Sequence, residues 1–79
     1  MIKVMLCWDD ASTPGGVAQA FTRFAAVPAP GLTLRLFSSA TTSAAIPKDR
    51  ARVKSTTLFS LHPDDENPLA HAMCEIEWI

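Results

Sequence analysis

The sequence predicts a small α+β fold in which one helix packs on a four-stranded mixed or antiparallel sheet, in the order β-α-β-β-β. Four segments alternate apolar and polar residues with the period of two that is typical of strands, and one places apolar residues at helical spacing. No internal repeat and no change of composition divides the 79 residues. Residues 1–79 are therefore expected to form a single compact domain.

The first strand is predicted at residues 2–8, which read IKVMLCW. Ile2, Val4, Leu6 and Trp8 fall on one face, and the other face also carries apolar side chains. Apolar groups on both faces are typical of a strand in the interior of a sheet.

The helix is predicted to begin at Pro14, after an N-cap at Ser12 or Thr13, and to run to about residue 26. Proline is favoured in the first turn of a helix, and serine and threonine are favoured as N-caps. Phe21 and Phe24 share the apolar face of this helix, which is expected to pack on the sheet. Two further prolines follow its predicted end.

Three more strands are predicted at residues 32–38, 51–61 and 73–79 because each alternates in hydrophobicity. A flexible loop at 39–47 and an acidic loop at 62–68 separate them.

The helix is expected to be a right-handed crossover between two parallel strands, residues 2–8 and 32–38. The last three strands are expected to pair antiparallel.

The charge and composition exclude several classes of protein. Seven basic residues against eight acidic ones give a net charge of −1, whereas general nucleic-acid and membrane-surface binders usually carry a strong basic excess. A hydrophobic content of 48% argues against disorder. No apolar run is long enough to span a bilayer and the first residues do not resemble a secretory signal, so the cytoplasm is the expected location.

Neither catalysis nor a bound cofactor is expected from the motifs. Cys7 and Cys74 read as two buried reduced thiols, with a disulfide between them as the less favoured alternative. A thiol enzyme would pair one of them with His62 or His71 as a base. These histidines flank the acidic stretch at 64–66, but their spacing matches no metal motif, so no metal is predicted.

The favoured function is a non-enzymatic protein-interaction module whose partner carries a basic surface. Small size and a lack of catalytic motifs are also features of virus-encoded inhibitors that occupy nucleic-acid-binding surfaces of host defence machinery. Carboxylates would speed association with such a surface. The residues predicted to bind the partner are Asp64, Asp65, Glu66, Glu75, Glu77 and Trp78.

Two further hypotheses involve other surfaces. Met5, Phe37 and Leu58 are predicted to form an apolar patch through which the chain self-associates as a homodimer. A nucleic-acid-binding module is the alternative function, and it would use the basic residues Lys48, Arg50, Arg52 and Lys54.

Against the nucleic-acid hypothesis, we favour cross-strand pairing of Arg52 and Lys54 with Glu75 and Glu77. A small metal- or thiol-dependent enzyme is the last alternative.

Overall fold

The computed structural model describes residues 1–36, 46–60 and 70–79, and every regular element within these ranges is a strand. The strands are β1 (Ile2–Asp9), β2 (Val17–Phe24), β3 (Thr33–Arg35), β4 (Arg50–Leu58) and β5 (Ala72–Trp78). The predicted α+β fold, with a helix on four strands, is therefore wrong, because the described chain forms one curled, mixed sheet of five strands. These residues include no helix that could cross a membrane.

The strands are arranged in the order β2-β1-β5-β4-β3. Neighbours run antiparallel except for β1 and β5, which are parallel. The predicted parallel pairing of residues 2–8 with residues 32–38 is wrong, because β3 lies at the far edge of the sheet from β1 and β2. The predicted antiparallel pairing of the last three strands is confirmed.

Residues 17–24 form a strand, β2, where the helix was predicted. All eight residues of β2 pair with β1 in an unbroken antiparallel ladder. Alternate side chains, from Ala18 to Phe24, face the core, and those between them face outward. Phe21 and Phe24, which a helix would place together, lie on opposite faces of the sheet because strand side chains alternate.

The hairpin turn between β1 and β2 explains why the helix does not form. The N–H of Asp10 donates to the carbonyl of Gly16 at 2.9 Å, and the N–H of Gly16 donates to the carbonyl of Thr13 at 2.9 Å. Pro14 and Gly15 occupy the centre of this turn, which is the residue preference of a type II turn. Gly15 and Gly16 have φ values of 85° and 76°, which a helix does not contain.

The core lies on one face of the curled sheet. Its largest fully buried side chains are Leu6, Val4, Val53 and Cys74. The segment between β2 and β3 joins opposite edges of the sheet across this face. Val27 packs against the core, and the hydroxyl of Thr56 donates to the carbonyl of Pro28 at 2.6 Å. A strand connection thus covers the face that the helix was expected to cover.

The two predicted loops are only partly described. Residues 39–45 lie outside the described residues, and Ile46, at the end of the predicted flexible loop, packs against the core. The acidic loop at 62–68 also lies outside the described residues. Strand β4 ends at Leu58 rather than residue 61, and β3 covers three residues of the predicted 32–38.

Candidate functional site

The face of the sheet opposite the core carries both apolar and charged side chains on three adjoining strands. Register and alternation place on it the odd-numbered side chains of the three adjoining strands β1, β2 and β5. We call this surface the open face. Its residues are Lys3, Met5, Cys7, Asp9, Val17, Gln19, Phe21, Arg23, Met73, Glu75 and Glu77.

An apolar band crosses the middle of the open face. Met5 lies directly opposite Phe21 on one side and Met73 on the other, so the three side chains occupy neighbouring positions on three strands. All three are partly buried. The ammonium of Lys3 lies 5.9 Å from the centre of the Phe21 ring, within the range of a cation–π contact. Methionine side chains adapt to the shape of a partner, which suits a binding surface.

An acidic end lies beyond the apolar band, at the carboxyl ends of the parallel strands β1 and β5. It consists of Asp9, Glu75 and Glu77, and these carboxylates line two adjoining surface depressions of about 90 and 260 Å³. Lys54 lines both depressions. With three carboxylates, the Lys54 ammonium and the guanidinium of Arg52 beside Glu77, the charges sum to 2 − 3 = −1, so the acidic end favours a cationic partner.

Strand β4 holds two of these carboxylates in place. The hydroxyl of Ser55 donates to Glu75 at 3.1 Å, and the guanidinium of Arg52 lies 3.6 Å from Glu77. The predicted cross-strand pairing of Arg52 with Glu77 is confirmed. Both side chains of this pair are about half-exposed, at 54% and 52%, so the pair orients the carboxylate more than it stabilises the fold.

A β-bulge brings Lys54 to the acidic end. The register of β4 with β5 shifts between Val53 and Ser55, so Lys54 is an extra residue in the ladder. Bulges redirect side chains in this way. Arg52 and Lys54 thus both lie near Glu77, whereas Arg50 is opposite Arg35 of β3. The first residue of the predicted basic segment, Lys48, is exposed ahead of β4.

Trp78 is packed against the core and also lines the larger depression together with Glu77. Trp78 alternates with Glu77 and packs against the core, where its ring meets Trp8 edge-on at a centroid distance of 5.1 Å. Its indole N–H is buried, and within the described chain it has no hydrogen-bond acceptor. Glu75 and Glu77 are exposed on the opposite face. The other predicted partner-binding residues, at 64–66, lie outside the described residues.

The predicted self-association patch is not brought together among the described residues. Leu58 is 69% exposed at the end of β4, and its register opposite Ala72 places it on the core face of the sheet. Met5 lies on the open face, and Phe37 lies outside the described residues. The apolar neighbours of Met5 are instead Phe21 and Met73, neither of which was predicted for this surface.

Both cysteines are buried and neither forms a disulfide. Cys74 is opposite Leu6 on the core face, whereas Cys7 belongs to the open face, so the two thiols are on opposite sides of the sheet. Burial raises the pKa of both thiols, and the Glu75 carboxylate adds to the rise for Cys7. Such thiols are poor nucleophiles because they remain protonated at neutral pH.

His71 has a structural role in the sheet. The ring Nδ1 of His71 accepts a hydrogen bond from the main-chain N–H of Lys3 at 3.0 Å. The main-chain N–H of His71 donates to the carbonyl of Lys3 at 2.7 Å. Cys7 lies four residues further along β1, about 13 Å away by the rise of a strand. His71 is therefore not placed to activate Cys7. His62 lies outside the described residues, and among those described no group of three His, Cys, Asp or Glu residues could hold a metal ion.

In comparisons with known proteins, no family model, no curated protein and no solved structure matches this chain. Its function is therefore argued from the open face itself.

Proposed function

We propose that this protein is a non-enzymatic interaction module that binds a protein partner with a basic surface through its open face. The observation that carries the proposal is the side-by-side arrangement of the apolar band and the acidic end on one sheet. The band offers partly buried apolar area, and the carboxylates of Asp9, Glu75 and Glu77 offer a net negative charge beside it.

This arrangement has the chemistry of a protein interface. Apolar side chains in the centre supply binding energy, and charges at one side speed the encounter and fix the orientation of the partner. The carboxylates are positioned before binding, because Ser55 holds Glu75 and Arg52 holds Glu77. Less side-chain entropy is then lost when a cationic partner docks.

The nucleic-acid alternative has less support. Arg52 is already paired with Glu77, and Lys54 lines depressions that also hold Asp9 and Glu75. The remaining basic residues near β4 in the described chain are Lys48, Arg50 and Arg35, and three positive charges are few for phosphate binding. A nucleic-acid-binding surface on host defence machinery, the target of the virus-encoded inhibitors considered above, is one basic surface of the proposed kind and stays a prediction.

Charge reversal on the acidic end tests the proposal. We expect Glu75→Lys to reduce the capture of a basic partner protein from host extract by about tenfold, because one attractive charge becomes repulsive. Asp49→Lys makes the same change at an exposed site away from the open face and serves as the matched control. Capture that also weakens with added salt supports an electrostatic contact.

Two results would contradict the proposal. The first is equal loss of capture in both variants, and the second is full capture by Glu75→Lys. The unfolding midpoints of both variants should match the wild type, since both changed side chains are exposed. Binding of duplex or single-stranded nucleic acid at low salt would instead favour the alternative function.

A further inference from the structure

The parallel strands β1 and β5 separate at their carboxyl ends. Their last paired residues are Cys7 and Glu75. Strand β1 nevertheless continues to pair with β2 as far as Asp9, and β5 continues to pair with β4 as far as Trp78. We call the resulting gap the fork. The larger depression of about 260 Å³ lies in it, and its lining residues are Trp8, Asp9, Lys54, Ile76, Glu77 and Trp78.

Indole rings and carboxylates enter the fork from opposite faces of the sheet. Consecutive residues of a strand point to opposite faces. Trp8 and Trp78 therefore reach the fork from the core face, where their rings meet edge-on at an angle of 79°. Asp9 and Glu77 reach it from the open face. A cation in the fork is attracted both by the aromatic rings and by the carboxylates.

Asp9 supplies the unneutralised charge of the fork. In the part of the chain that the structure describes, Glu77 is paired with Arg52, whereas the exposed Asp9 forms no ion pair. Lys54 lines the fork and likewise forms no ion pair with a described residue. Its side chain is exposed and can move aside, so its ammonium is a competitor of any cation that enters.

The hydrogen bond from Ile79 to Arg50 shows which main-chain groups face the fork. These residues lie opposite each other, one step beyond the pairing of Trp78 with Ala51. Hydrogen-bonded pairs alternate along antiparallel strands, so the odd-numbered residues of β5 are bonded to β4 and the even-numbered ones face β1. The carbonyl of Ile76 therefore points into the fork, where it adds an acceptor to those of the carboxylates.

We infer that the fork binds an arginine side chain of the partner, a role that rests on the proposed function and names the group recognised by the acidic end. A planar guanidinium stacks on an aromatic ring while its several N–H groups donate to carboxylates, which an ammonium cannot do. The depression of about 260 Å³ is smaller than the roughly 300–1,000 Å³ of sites for drug-sized molecules. Its size therefore suits one side chain.

Tryptophan fluorescence reports on the fork alone. The chain contains two tryptophans and no tyrosine, and both tryptophans line the fork. The probe is N-acetyl-arginine methylamide, whose guanidinium is its only charge. We expect a saturable change in fluorescence with a dissociation constant in the millimolar range, because a single side chain buries little surface. N-acetyl-lysine methylamide has the same charge and should bind at least about threefold more weakly.

Two variants with matched controls test the charges of the fork. Asp9→Asn should weaken binding of the arginine probe about tenfold, whereas Asp49→Asn, the same change at an exposed site ahead of β4, should not. Lys54→Met should strengthen binding about threefold, because it removes the competing ammonium. Lys48→Met changes the net charge equally and should have no such effect.

Three results would overturn the arginine site: no saturable response to the arginine probe, binding of the lysine probe that is as tight, or weaker binding after Lys54→Met. The last would mean that the ammonium holds an anionic ligand. Capture of a basic protein that Glu75→Lys abolishes, without a response to the probe, would overturn the arginine site and keep the proposed function. Probe binding without such capture would do the reverse.

Discussion

Replacement of Gly15 by alanine distinguishes the hairpin from the helix that the sequence suggests. In a helix the substitution would stabilise the protein by about 1 kcal/mol, because alanine is the better helix former. In the hairpin Gly15 has a φ of 85°, which alanine rarely adopts. The two structures therefore predict effects of opposite sign.

The expected cost in the hairpin follows from the surroundings of Gly15. A Cβ atom added there would meet no atom within 4 Å, so no steric clash contributes. What remains is the cost of a left-handed backbone for an L residue, about 1–2 kcal/mol. In a domain of this size, 1 kcal/mol lowers the melting temperature by roughly 4–8 °C.

Urea unfolding followed by far-UV circular dichroism measures this cost. We expect the midpoint to fall for Gly15→Ala with an unchanged slope. Gly15→Asn is the control and should lose less stability, because asparagine tolerates positive φ better than alanine does. An alanine variant as stable as the wild type, or more stable, would refute the hairpin and return the segment to a helix.

Three further expectations concern the core, the thiols and the turn. Leu6→Ala should cost about 2–5 kcal/mol in urea unfolding, because Leu6 is fully buried at the centre of the sheet; a cost below 1 kcal/mol would mean that the core is elsewhere. Cys7 and Cys74 should react with iodoacetamide at neutral pH much more slowly in the native protein than in urea, since burial raises the pKa of both thiols; equal rates would contradict their burial. Hydrogen bonds from the Ser12 hydroxyl and amide lower the pKa of Asp10, so its contribution to stability is present at neutral pH and is lost as the pH falls below about 4. Asp10→Asn should therefore show a smaller loss of stability between neutral pH and pH 3 than the wild type, and an equal loss would contradict this role.

The sequence predicts the strands whose alternation is regular. Residues 2–8 were predicted as a strand, and β1 covers Ile2–Asp9. Residues 73–79 were predicted as a strand, and β5 covers Ala72–Trp78. Residues 73–79 alternate apolar and polar side chains, and residues 2–8 are apolar on both faces, which is typical of an interior strand.

The segment 17–24 could not be assigned by period alone. Val17, Phe21 and Phe24 have the spacing of one face of a helix. The segment fits a strand equally well, with Ala18 and Ala20 on one face and the odd-numbered residues on the other. The choice depends on the positive φ of the glycines before it and on a ready partner in β1, with which hairpin pairing satisfies the main chain. Neither factor is visible in the hydrophobic pattern of the segment itself.

The acidic end was predictable only in part. Glu75 and Glu77 alternate with core residues, so their exposure on one face follows from the sequence. Asp9 joins them because β1 and β5 are parallel neighbours, a pairing between the two ends of the chain that has no local signal. Lys54 joins them through a bulge, and no residue of that bulge has a distinctive sequence preference.

The carboxylates of the acidic end also help to fix the register of the fold. A shift of β5 by one residue against β1 would bring Cys7 opposite Cys74, but it would turn Glu75 and Glu77 toward the core. Burial of a carboxylate without a partner is far more costly than exposure of a cysteine or an isoleucine. The observed register, with Leu6 opposite Cys74, is therefore the one that keeps both charges in solvent. The register that keeps Glu75 and Glu77 in solvent on the open face therefore also places the two thiols on opposite faces of the sheet.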